Sequence, residues 1–169
     1  MPEPRDHFQQ RGWIETILRY IPGFRGYLEK EYRRDADRLY REYLAEQLRH
    51  ARSALDRLGR DLVQKAQLDL LPVLERIAGR IDHLRSRIDG AVRGYSGFFD
   101  LVQITEETLD RVYAHDGALV NLCYDLAQQA KALQAGAEDL SAQLDRIAAR
   151  VDELHEQWDG RDHILQGLV

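Results

Sequence analysis

One cysteine, one methionine, two tryptophans and four prolines are all that 169 residues contain of these types, and each scarcity excludes something. A lone thiol, Cys123, cannot close an internal disulfide and points to a reducing compartment. Few prolines leave long stretches free to be helical, because proline breaks a helix interior by removing a donor and crowding the preceding turn. No run approaches the ~18 consecutive apolar residues of a membrane-crossing helix. The opening MPEPRDHFQQRGW has no apolar stretch of the signal-peptide kind, so the cytoplasm is the expected location. Also missing is any segment in which Val, Ile, Thr and aromatics alternate with polar residues, the pattern of a half-buried strand. Neither sign of charge dominates: 24 Lys and Arg are interleaved with 29 Asp and Glu, for a net charge of −5. That mixture argues against a nucleic-acid partner, whose binding rests on neutralising phosphates.

What is present is a chain 44% hydrophobic and 31% charged, dominated by residues that lose little rotamer freedom in a helix. The expected fold is all-α, an antiparallel bundle of about four long amphipathic helices with a short N-terminal helix. Residues 1–26 read as an N-terminal arm and 27–169 as the bundle. In the arm, Trp13, Ile14, Ile17, Leu18 and Ile21 recur at three- and four-residue steps, on one helical face. IPGFRG follows, where Pro22 disfavours helix at Ile21 and Gly23 with Gly26 permits a sharp turn.

From Tyr27 to about Ala66 one long helix is expected. Its later half carries the seam Leu44, Leu48, Ala51, Leu55, Leu58 and Leu62; Leu28, Tyr32, Ala36, Leu39 and Tyr43 extend the stripe backwards. Asp37–Arg41 and similar pairs four apart read as helix-surface ion pairs, worth only about 0.2–0.5 kcal/mol each. A second helix, with Asp69 as its cap and Pro72 in its first turn, carries Leu74, Ile77, Ile81, Leu84 and Ile88. It ends near Gly90 or Gly94. GYSGFFDLVQI (94–104) then places aromatics where a solvent-facing linker would be polar, so it is expected to fold against the bundle end. Thr105 is the expected N-cap of a third helix running to about Gln134, with Leu109, Val112, Tyr113, Val120, Cys123, Ala127, Ala130 and Leu133 inward. Gly117 inside it costs about 1 kcal/mol relative to Ala, which signals a close helix contact. Gly136 marks a turn, and the fourth helix, about Ala137 to Trp158, carries Leu140, Leu144, Ile147, Val151, Leu154 and Trp158.

Two stretches, IPGFRGYLEKEYRRDADRLYREYLAEQL (21–48) and GYSGFFDLVQITEETLDRVYAHD (94–116), resemble an uncharacterised bacterial family of helical, coiled-coil-like proteins. The resemblance implies a helical protein and brings no catalytic motif or active-site residue with it.

Catalytic and metal chemistry find little support in the residues themselves. A di-iron bundle needs paired Glu-x-x-His motifs facing inward, and the nearest approach is a single Asp152-x-x-His155. His50, His83 and His115 stand singly on separate expected helices. Cys123 falls on an inward stripe, where thiols are inert, and no phosphate-cradling glycine loop occurs. Asp116, beside His115, falls on the inward stripe between Val112 and Val120, where a carboxylate is costly unless paired or hydrogen-bonded. Its structural reading is a register-fixing bond to an arginine or tyrosine of the first long helix. Its functional reading is the polar centre of a metal or small-ligand site. Trp13, Phe24, Tyr27, Tyr32, Tyr40, Tyr95, Phe98 and Phe99 gather toward one bundle end, as an aromatic end-core or as a partner-binding patch. The expected function is a non-enzymatic interaction or scaffold protein, without cofactor or metal, that binds a protein partner or itself. The alternatives are a ligand or metal binder centred on Asp116, and a peripheral membrane protein using residues 13–21.

Overall fold

Three- and four-residue apolar spacing resolves into five α-helices in the computed structural model, which describes residues 4–27, 29–91 and 105–165. They are α1 (Pro4–Tyr20), α2 (Lys30–Gln64), α3 (Leu71–Gly90), α4 (Glu106–Lys131) and α5 (Leu140–Leu165), with a short 3-10 turn at Leu68–Leu70 before α3. No strand occurs among the described residues. The fold is all-α, with four long helices packed as an antiparallel bundle and a shorter N-terminal helix laid against them.

Side-chain contacts fix which helices are neighbours. The Arg52–Asp82 ion pair at 3.0 Å, and Leu74 against Gly59, set α2 and α3 side by side in opposite directions. His115 with Gln157, and Asp116 with Arg161, set the first half of α4 against the end of α5, so across the short 132–139 connection these two are antiparallel as well. Tyr27 meets Asp116 at one end while Lys65 donates to the Ala135 carbonyl at the other, so α4 runs alongside α2. Arg80–Asp152 and Arg87–Asp159 bridge α3 to α5. Each long helix therefore reverses the one before it, and α2 and α5 face each other across the core. Leu44, Leu48, Leu55, Ile77, Ile81, Leu84, Val120, Leu126, Leu144, Ile147 and Leu154 fill that core, none more than 1% exposed. Burial of this kind, not helix propensity, supplies most of the stability.

Helix α1 lies on α4. The ring of Trp13 covers Gly117, Ile17 is fully buried, and Tyr20 packs 5.1 Å from Tyr124 and 6.0 Å from Tyr43. The close contact expected at Gly117 is thus with the arm: a Cβ there would stand 2.6 Å from Trp13 Cε3. Gly117→Ala should fail to gain the roughly 1 kcal/mol that alanine offers in a helix, because the indole must move. The measurement is a thermal melt with tryptophan emission. Trp158 is buried, so a red-shifted component reports Trp13 leaving its seat. A higher melting temperature with unchanged emission would contradict this contact.

Several boundaries differ from the sequence reading, each for a local reason. The helix of the arm begins at Pro4 rather than Trp13. Helix α2 begins at Lys30 rather than Tyr27, because Gly23 and Gly26 adopt positive φ (85° and 82°) and the segment through Tyr27 stays non-helical. Asp69 is not a cap; it sits within the 3-10 turn, and Leu70 precedes α3 without a side-chain bond. Thr105 does cap α4, its hydroxyl accepting from the Thr108 N–H at 3.2 Å. Helix α5 continues past Trp158 to Leu165. Leu28, Val92 and the segment 94–104 lie outside the described residues.

Candidate functional site

The inward stripe of α2 changes character toward its N-terminus. Below Leu44 the buried positions are Ala36, Asp37, Tyr40 and Arg41, whereas Tyr32, Leu39 and Tyr43 of the expected stripe are only half-buried. Asp37 and Arg41 keep the heptad places of Leu44 and Leu48 one repeat earlier, so the pair read as a surface bridge is interior. Its Arg41 Nε to Asp37 Oδ2 distance is 2.8 Å, with both residues under 10% exposed. Stepping along α5 from Val151 through Leu154 and Trp158 by threes and fours lands on Arg161, which is fully buried.

Arg161 joins the pieces. Its Nε donates to Asp116 Oδ1 at 2.8 Å, and its Nη2 donates to Asp37 Oδ1 at 2.9 Å. The Tyr27 hydroxyl donates to Asp116 Oδ2 at 2.7 Å and lies 3.3 Å from Arg161 Nη2. The guanidinium carbon stands 4.7 Å from the Tyr40 ring centre and 5.4 Å from that of Trp158, within cation–π range. Arg41, Asp37, Arg161 and Asp116 thus form one buried line of alternating charge that sums to zero. Charges so removed from water are tolerable only when paired and hydrogen-bonded, as these are.

Tyr27 closes the line from the side of the arm. Its ring stacks on Tyr113 at 5.5 Å and meets Phe24 edge-on at 5.5 Å. Its backbone N–H donates to the Tyr113 hydroxyl at 2.6 Å, and Arg33 Nε donates to its carbonyl at 2.6 Å. Burial, then the adjacent Asp116 carboxylate, raises the Tyr27 phenol well above its ordinary value, so the proton stays on the phenol as the donor. Burial also raises Tyr40 well above the usual tyrosine value; among the described residues its hydroxyl makes no hydrogen bond.

The residues singled out from sequence are distributed unevenly. Asp116 is buried and bonded to both an arginine and a tyrosine, although the arginine comes from α5, not the first long helix, and the tyrosine from the segment before it. Asp37 and Arg41, read from the sequence as a helix-surface pair, are interior together with Asp116, and so is Arg161. His115 turns away from the network, its Nε2 against the Gln157 carbonyl and its ring over Gly160. Phe24, Tyr27 and Tyr40 are interior, so of the aromatic candidates described only Trp13 and Tyr32 reach solvent. Tyr95, Phe98 and Phe99 lie outside the described residues.

Burial pushes the Cys123 thiol up to about 12, where it carries almost no thiolate at neutral pH. Among the described residues no three His, Cys, Asp or Glu side chains gather as metal ligands would, and no helix is long and apolar enough to cross a membrane. Surface grooves run along α2–α3 near Gly59 and along α4–α5 near Ile147, and neither includes a residue of the charge network. Set against protein-family models, characterised proteins and solved structures, the chain matches none.

Proposed function

We propose that this protein is a non-enzymatic interaction or scaffold protein that binds a protein partner, or a second copy of itself, through the α1–α4 face. The observation that supports this is where the surface stays apolar. Among the described residues five large hydrophobic side chains are exposed. Trp13 (37%), Leu18 (42%) and Tyr124 (36%) belong to α1 and α4, with Tyr20 packed on Tyr124 and on Tyr43, while Val63 and Leu68 lie apart, at the end of α2 and in the 3-10 turn. Large, stiff aromatic side chains concentrate binding energy at interfaces. The interior charged groups Asp37, Arg41, Asp116 and Arg161, in contrast, are engaged with one another.

A metal or small ligand at Asp116 would have to displace both Tyr27 and Arg161 from its two oxygens. A membrane surface would meet an arm whose Ile17 and Ile21 are already spent on the bundle. The resemblance of 21–48 and 94–116 to a bacterial helical family fits an interaction role without naming a partner, and no family model matches it.

Leu18→Glu tests the proposal, with Val63→Glu, at a 56% exposed position on α2, as the matched control. Surface changes of this kind shift stability by no more than about 0.5 kcal/mol, so lost binding reads the surface rather than the fold. Sedimentation velocity and affinity capture with the full chain should give self-association or a retained protein that Leu18→Glu loses and Val63→Glu keeps. A strict 19.6 kDa monomer, with identical captures from both variants, would reject it.

A further inference from the structure

The face between α3 and α5 is built differently from the others. It is the smallest of the interfaces between neighbouring long helices, and a ladder of polar side chains runs along it. Arg80 pairs with Asp152 at 2.7 Å, His83 meets His155 with ring centres 5.6 Å apart, and Arg87 pairs with Asp159. His155, at the middle rung, is bonded through both of its ring nitrogens. Its Nε2 lies 3.0 Å from the Arg80 carbonyl oxygen and its Nδ1 lies 3.4 Å from Arg87 Nη1.

Those two partners fix the protonation state of the ring. A carbonyl oxygen only accepts, so Nε2 carries the hydrogen. A guanidinium only donates, so Nδ1 must present its lone pair. The closed seam therefore favours a neutral imidazole. A proton arriving at Nδ1 would set an N–H against the N–H of Arg87, exchanging a hydrogen bond for a contact between two donors and two positive charges. Arginine cannot relieve this by losing its own proton.

We propose that the α3–α5 seam is an acid-sensitive latch, in which proton uptake by His155 breaks its bond to Arg87 and releases α3 from α5. Opening would bare apolar faces now in the core, among them Ile81 and Leu84 on α3 and Leu154 and Trp158 on α5. The latch stands independently of the interaction reading, because it uses no residue of the α1–α4 face.

The charges around the ring agree with the geometry. Burial is the largest effect and lowers the proton affinity of His155; the Arg80 carbonyl bond, next in size, opposes it, and the cations Arg80 and Arg87 with His83 lower it further, so the net direction is down. Asp152 and Asp159 lie on its own helix one turn to either side, each about half exposed and already paired with an arginine. From α4, the other helix packed on α5, His115 reaches this stretch and bonds the Gln157 carbonyl. A basic group whose proton affinity is lower folded than unfolded stabilises the closed form fully above its unfolded value of about 6.5. That contribution drains away as pH falls through about 6.5 toward the lower folded value, and each pH unit in the window shifts the opening equilibrium by up to about tenfold.

Native-state hydrogen exchange on the full chain, corrected for intrinsic chemistry, reads the opening helix by helix. Between about pH 7.5 and about pH 5.5 the α3 amides should lose protection about three- to tenfold more than those at the centre of α4. His155→Gln should remove that difference, since glutamine can donate to the Arg80 carbonyl and accept from Arg87 without taking a proton. His50→Gln, on α2 beside Glu46 and outside the seam, should keep it. Equal pH dependence in His155→Gln and the parent, no loss in the parent, or equal loss in every helix would overturn the proposal. Should His155→Gln fail to fold, an NMR titration of the parent decides. A His155 ring titrating below the histidines of the unfolded chain supports the latch, and one titrating at or above them overturns it.

Discussion

Arg161→Leu should destabilise the protein by about 3–5 kcal/mol, the range seen when one partner is removed from a buried ion network. Leucine fits the apolar surroundings of Tyr40 and Trp158, so the loss would not come from volume alone. It would come from Asp116, fully buried and left with the Tyr27 hydroxyl as its remaining donor among the contacts described above, and from Asp37, left with Arg41. The diagnostic is the second substitution. Arg161→Leu combined with Asp116→Asn removes one charge of each sign, keeps the neutral Asp37–Arg41 pair and leaves Tyr27 an oxygen to donate to. The double variant should therefore recover part of the loss, with a coupling energy of about 1–3 kcal/mol in a double-mutant cycle by urea unfolding. Additive losses would mean that Arg161 acts by packing and that the charge line is incidental.

Gly26→Ala should cost about 2–4 kcal/mol, from two separable sources. At φ +82° a side chain brings backbone strain of about 1–2 kcal/mol. In addition, the new Cβ would stand 2.6 Å from the Tyr113 hydroxyl, closer than any ordinary contact, and that hydroxyl is where the Tyr27 N–H is bound. Gly23 isolates the first source, since it has nearly the same φ, +85°, with nothing within 4 Å of an added Cβ. Gly23→Ala should thus lose only the strain, and the gap between the two unfolding midpoints measures the Tyr113 contact. Equal losses would show that Tyr113 yields freely and that Tyr27 is not held by it.

Much of the molecule was readable because burial repeats along a helix. Leu74, Ile77, Ile81, Leu84 and Ile88 fall three or four residues apart and are all in the core, as are Leu140, Leu144, Ile147, Val151, Leu154 and Trp158. Reading failed where a charged side chain occupied a place in that repeat. Asp37 and Arg41 look like any helix-surface pair four residues apart, and Arg161 lies beyond Trp158, the expected end of the fourth helix. The signal was the spacing itself: Arg161 stands three residues beyond Trp158 on an unbroken stripe, and identity overrode register. The helix runs through Gly160, where the His115 ring fills the space a Cβ would need, 3.1 Å away. That space is created by another helix.

The amino-acid pattern alone therefore decided the helical class, the number of long helices and most of their inward faces, since each follows from neighbours along one strand of sequence. Partnership across the bundle was decided only by the tertiary fold: Asp116 with Arg161, Trp13 with Gly117, His155 between Arg80 and Arg87. Those pairs are between 45 and 104 residues apart in the chain, where periodicity carries no information. Whether a charge at an inward position is ruinous or stabilising depends on which opposite charge the other helices bring to meet it.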